Sequence, residues 1–138
     1  MDSKAEALCN ALAKHIVDRR FKDAHDLLAP WVRDTMTTDD LQRMIDAANE
    51  GLPAPREWTL DEGFLGVDDL READPYGPPS QAVSPKVTAE NFRGWLSIQF
   101  KPEGAEDEAA NVCFDLWLAA VEENGACLAG YVEAAEAS

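Results

Sequence analysis

Histidine, cysteine and cationic residues are scarce in this chain, and each scarcity removes a class of function. With two histidines (His15, His25) and three cysteines (Cys9, Cys113, Cys127), no Cys/His spacing suits a zinc site. There is no CxxC pair. An odd, widely spaced set of thiols reads as reduced and buried, as in a cytoplasmic protein. The five serines stand in no GxSxG context, so a serine nucleophile lacks its elbow. No phosphate-binding glycine loop is present, and the acidic runs Asp68-Asp69 and Glu106-Asp107-Glu108 lack the alternation and glycine of a calcium loop. Neither a metal nor a cofactor is expected. No apolar run is long enough to cross a bilayer, and the opening residues, with acids and lysine scattered through them, read as no signal peptide.

Positive charge is the other shortage: Lys and Arg number 12 against 27 Asp and Glu, a net charge of −15. Residues 1–56 hold 8 basic and 10 acidic side chains, residues 57–138 hold 4 and 17, so the acidity lies in the second half. Such a field repels nucleic-acid phosphates and anionic lipid heads, which argues against both as partners. It suits either plain solubility or a basic protein partner.

What is present is enough for a core. A chain of 138 residues, 46% hydrophobic and with four tryptophans, reads as one domain, 1–138. Its most legible stretch is Asn111–Glu133, two apolar alternating runs flanking Asn124-Gly125, the pair that supplies both positive-φ positions of a type I′ hairpin turn. A two-residue loop pairs Glu123 with Ala126, Glu122 with Cys127 and Val121 with Leu128. Extended outward, this register puts Phe114, Leu116, Leu118, Ala120, Ala129, Tyr131 and Glu133 on one face. Cys113, Asp115, Trp117, Ala119, Val121, Leu128, Gly130, Val132 and Ala134 take the other. Both faces are largely apolar, so one is expected to pack on helices. The other meets a partner, most simply a second copy, unless the sheet is fully covered within a monomer. Cys113 and Cys127 are too far apart in this register to bridge.

The helical part is 1–51. Asp2 or Ser3 caps a helix to about Val17, with Leu8, Leu12 and Ile16 in a stripe. Phe21, Ala24, Leu27, Leu28 and Trp31 pattern a second helix that Pro30 kinks or ends. Thr37 to Asp40 is a capping box before a third helix carrying Leu41, Met44, Ile45 and Ala48, closed by Gly51 and Pro53. The sheet part is 56–138. Glu57–Val67 reads as a strand with Trp58, Leu60 and Phe64 on one side and a bulge near Gly63 or Gly66. Residues 68–90 form a proline-rich connection: a lid, an ordered surface loop or a partly disordered stretch, with disorder or a mere crossover preferred for want of chemistry in it. Asn91–Lys101 is a strand, Pro102–Ala109 an acidic turn, and the hairpin follows. The class is α+β, N-terminal helices packed on a mostly antiparallel sheet.

His15 to Ala48 is similar to the helical opening of the NTF2-like superfamily. The matching positions are Phe21, Ala24, Leu27, Leu28, Pro30, Thr37, Asp40 and Leu41. Where many members carry a glycine before the aromatic, this chain has Arg19-Arg20. The resemblance covers about thirty residues in motif, and those are structural. It implies a strongly curved sheet wrapped round a helix as a cone with an internal pocket, and homodimerisation through the outer sheet face. Relatives range from isomerases, dehydratases and hydrolases to transport factors and bacterial immunity proteins, so the fold does not choose among functions.

Candidate chemistry is thin. His15 and His25 lie at helix flanks, as structural histidines or as general bases. Asp115 shares an apolar strand face with Trp117. It is either desolvated in a pocket or near enough to the strand end to reach water, the second being preferred. Trp117, Tyr131, Trp95, Trp58, Tyr76 and Arg93 are the candidate pocket lining. The function expected is a non-catalytic binding module that holds a basic partner on its acidic surface or a small apolar ligand in a pocket, an immunity protein being one version. The alternative is a small isomerase- or dehydratase-like enzyme using acid–base residues such as Asp115 and His15.

Overall fold

Four helices come first and four strands follow, and the first, third and fourth helices are each begun by a local signal in the sequence. The structure is a computed structural model and describes residues 1–104 and 113–136. Helix α1 spans Ser3–Val17, and Asp2 caps it, its carboxylate accepting from the amides of Lys4 and Ala5. The expected second helix is instead two short ones, α2 (Phe21–His25) and α3 (Pro30–Arg33). Between them Leu28 forms a parallel bridge to Ala129, with the Ala29 amide donating to the Ala129 carbonyl and the Ala129 amide to that of Leu27. Pro30 then opens α3 from its first turn, where its missing N–H is no loss. Helix α4 (Thr38–Ala48) starts with the expected capping box of Thr37 and Asp40.

Arg19 turns the corner after α1 at φ 58, the left-handed region that favours glycine. Its guanidinium holds Asp46 of α4 through both nitrogens at 3.2 and 3.3 Å and lies 5.0 Å over the Phe21 ring. An arginine is thus held where a smaller residue would fit with less strain.

Strands β1 (Glu57–Glu62), β2 (Phe92–Lys101), β3 (Phe114–Glu123) and β4 (Ala126–Glu136) form one antiparallel sheet in the order β1-β2-β3-β4. Bulges near Phe92–Gly94 and opposite Ala119–Ala120 bend it, giving a curved sheet. Its inner face presents Leu96, Ile98, Phe100, Phe114, Leu116 and Leu118 to α1, which answers with Leu8, Leu12 and Ile16. All are 0–4% exposed. Side chains therefore fill the space between helix and sheet.

Strand β1 is shorter than expected. Gly63 donates to the Trp95 carbonyl as the last ladder bond, after which the chain turns away and leaves Phe64 fully exposed. The long connection is ordered rather than disordered. Leu70, Val83 and Val87 are buried, the Val83 amide donates to the Leu70 carbonyl, and Arg71 donates to the carbonyls of Ser84 and Val87. Val87 packs beside Val121 and Gly130 on the outer sheet face. The end of the expected acidic turn, the run Glu106-Asp107-Glu108 and the first residues of the expected hairpin, Asn111 and Val112, lie outside the described residues.

The hairpin turns at Asn124-Gly125 (φ 51 and 82) and keeps the expected register as far as Ala120–Ala129. There it slips by one. Ala119 pairs with Tyr131, Leu118 with Val132 and Trp117 with Glu133. A one-residue slip exchanges faces for everything beyond it. Tyr131 and Glu133 therefore join Asp115 and Trp117 on the outer face, while Val132 and Ala134 join Leu116 and Leu118 inside, the reverse of the expected assignment.

Candidate functional site

The slip in β4 brings three of the expected pocket residues together. Trp95 (β2), Trp117 (β3) and Tyr131 (β4) cluster on the outer face, the indoles stacked at 5.4 Å between ring centres and Tyr131 6.0 Å from Trp95. Trp95 is only 3% exposed although it points outward, with Gly63 packed on one edge of its ring and Trp117 and Tyr131 beside it. Gly130 sits where a side chain would strike Val121, Val87 and Trp31, so the bulge exists where only glycine fits.

Tyr131 also borders a groove of about 500 Å³ that runs along the free side of β4. One wall is helical and apolar: Trp31 and Val32 of α3, Met36 in the turn after it, and Met44 of α4. The opposite wall is Ser80 to Pro85 of the long loop, and Gly130 to Glu133 make the floor. The Trp31 indole donates to the Gly130 carbonyl at 2.9 Å, and the His25 ring bonds the Met36 carbonyl at 2.7 Å, fixing the helical wall. Glu133 accepts from the Ser80 amide at 2.8 Å and from the Tyr131 hydroxyl, which ties loop to strand. Burial and the neighbouring Glu133 raise the Tyr131 phenol above its ordinary range, so it stays protonated and serves as a donor.

The other candidates lie elsewhere. Trp58 is on the inner face, its indole donating to Asn10 of α1, so the sheet separates it from the Trp95 cluster. Tyr76 stands in solvent at the tip of the long loop, 96% exposed. Arg93 pairs with Glu122, which Lys4 also reaches, and the two cations hold that carboxyl below the usual range. His15 is half-buried on α1. A second, tight crevice of about 40 Å³ lies between the end of α1 and α4.

Asp115 is half-buried on the outer face, opposite Gln99, with Oδ1 enclosed and without a hydrogen-bond partner among the described residues. Desolvation by burial raises its pKa. A folded-state pKa above the unfolded one means stability that is present at acid pH and lost as pH rises past the ordinary carboxylate range. Asp115→Asn is therefore expected to unfold at a higher temperature than the parent at pH 7, with the difference closing below pH 4. Melting curves across that range check it.

Trp31, Met36, Met44, Ser80, Gln81 and Glu133 are not among the site residues expected from the sequence. One signal was there: a glycine inside an apolar strand, Gly130, marks a bulge or a close approach. Among the described residues no cluster of His, Cys, Asp and Glu could hold a metal ion. No helix among them is long and apolar enough to cross a membrane. Comparison of the chain with protein-family models, with curated proteins and with solved structures gave no match.

Proposed function

We propose that this chain is a non-catalytic binding module of the NTF2-like kind and that the groove beside β4 is its binding surface. The observation that carries the reading is the groove itself: about 500 Å³ bounded by Trp31, Met36 and Met44, next to an interior packed with side chains. An apolar concavity with a few convergent polar groups is the usual form of a ligand site. The NTF2-like part of the proposal draws on the Phe21 to Leu41 resemblance, on helices preceding a bulged, curved sheet, and on Arg19 taking a glycine-like conformation at the corner. Three unpaired thiols, two of them buried, fit work in a reducing compartment such as the cytoplasm.

The competing reading, a small acid–base enzyme, has the Tyr131–Glu133 pair as its support. A carboxylate already accepting from Ser80 and Tyr131 is poorly placed to take a substrate proton, so binding is the reading adopted. Titration with an apolar anilinonaphthalene dye tests it. The parent is expected to bind the dye, and Met44→Glu, which puts a charge in the apolar wall, to bind it at least about tenfold more weakly, on the order of 1.4 kcal/mol. Equal binding by the two proteins would remove the groove as the site.

A further inference from the structure

We infer that the groove takes an extended basic peptide, which adds to the sheet as a fifth strand along β4. The inference rests on the binding reading above and names the occupant. It starts from the backbone of β4. The Gly63 amide bonds the Trp95 carbonyl, so Trp95 is turned toward β1. Backbone groups alternate direction along a strand, so Leu96 is turned toward β3 and its partner Leu118 toward β2. Across β3 and β4, Val132 faces Leu118 and is turned outward, and Ala134 follows it. Among the described residues no hydrogen bond reaches the outward N–H or C=O of either residue.

The chain has already begun such an addition. Leu28 bridges Ala129 on this edge, and the Trp31 indole covers the Gly130 carbonyl. The α3 segment then leaves, and beyond it β4 is the edge of the sheet, with Val132 and Glu133 on the floor of the groove and the strand running on past it to Glu136. An open edge in a groove is the arrangement that strand addition uses, with main-chain bonds giving affinity and alternate side chains giving specificity.

Charge selects the occupant. Glu133 and Glu136 lie on the open segment, and the chain carries −15 overall. A second copy would bring the same charges against them, whereas a basic segment would be attracted. The two walls call for an alternating pattern. Side chains on one side of the added strand meet Trp31, Met36 and Met44, and those on the other meet Glu133 and the serine-rich loop.

The test is fluorescence anisotropy with a labelled hexapeptide of alternating leucine and lysine, and two derivatives N-methylated on either the leucines or the lysines. The parent peptide is expected to bind, more weakly as salt rises. One methylated derivative loses at least tenfold in affinity and the other stays near the parent, because only one alternate set points its N–H at β4. The leucine set is lost for antiparallel addition, the lysine set for parallel. Ala134→Pro removes an outward N–H and is expected to weaken the peptide at least tenfold while binding the dye as before. Equal effects of the two methylations, or no binding by the parent peptide, overturn strand addition. Dye binding that Met44→Glu abolishes would then still stand for the groove. Loss of the dye site as well would remove both readings. A dimer in sedimentation that Ala134→Pro dissolves would give the edge to a second copy and overturn the peptide.

Discussion

Phe114→Ala is expected to cost about 3–5 kcal/mol of folding stability, the range for truncating a buried aromatic. Phe114 is fully buried on the inner face, stacked on Phe100 with ring centres 4.7 Å apart and planes 18° from parallel. The substitution leaves a void walled by Phe100, which pairs with it across the strands, and by the leucine and isoleucine side chains of the same face. Strands on either side hold this site in register, so the walls cannot close in. At roughly 3 °C per kcal/mol for a domain of this size, the midpoint of thermal unfolding falls on the order of 10–15 °C. Leu52→Ala is the control, since that side chain is 44% exposed and the change stays within about 0.5 kcal/mol. A Phe114→Ala protein within about 1 kcal/mol of the parent would mean that the inner face is not packed as described.

Gly63→Ala is expected to destabilise by about 1–3 kcal/mol, by overpacking instead of by a cavity. A Cβ at position 63 would lie 2.4 Å from Cδ1 of Trp95 and 3.2 Å from its carbonyl oxygen. The ring cannot swing away freely, because Trp117 stacks on it and Tyr131 lies beside it. The carbonyl cannot move without losing the bond from the Gly63 amide, the last of the β1–β2 ladder. The cost therefore appears together with a change in near-ultraviolet circular dichroism, as the indole pair is pushed apart. Chemical denaturation gives the free energy and the spectrum reports the tryptophans. An unchanged spectrum with unchanged stability would contradict the contact.

The sequence made the helices and the turn legible because each is written locally. The Asp2 cap, the Thr37–Asp40 box and Asn124-Gly125 act over four residues or fewer, and all three are found where expected. The outer face was harder to read, for three physical reasons. Period-2 logic carries a register indefinitely, whereas one unpaired residue at Gly130 reversed it and exchanged Tyr131 and Glu133 with Val132 and Ala134. The long loop looked like a crossover because Leu70, Val83 and Val87 are spread among prolines and charges with no period. Their burial depends on contacts distant in sequence, as where Val87 meets Val121 and Gly130. The α2–α3 break at Leu27–Ala29 is likewise a tertiary effect, because the segment satisfies its backbone on Ala129 rather than in a helix. The groove is made by these three departures together, which is why Trp31 and Met44 read as ordinary helix residues and Met36 carried no signal.

The three methionines offer the most direct test of the groove. Met36 and Met44 line it, whereas the Met1 amino group pairs with Glu62 on β1, the far edge of the sheet. With the protein labelled at the methionine methyl carbons, titration with the leucine–lysine peptide or the anilinonaphthalene dye is followed by NMR. The Met36 and Met44 methyl signals are expected to shift in a saturable manner while that of Met1 stays in place. Shifts absent from both groove methionines, or matched by Met1, would contradict it.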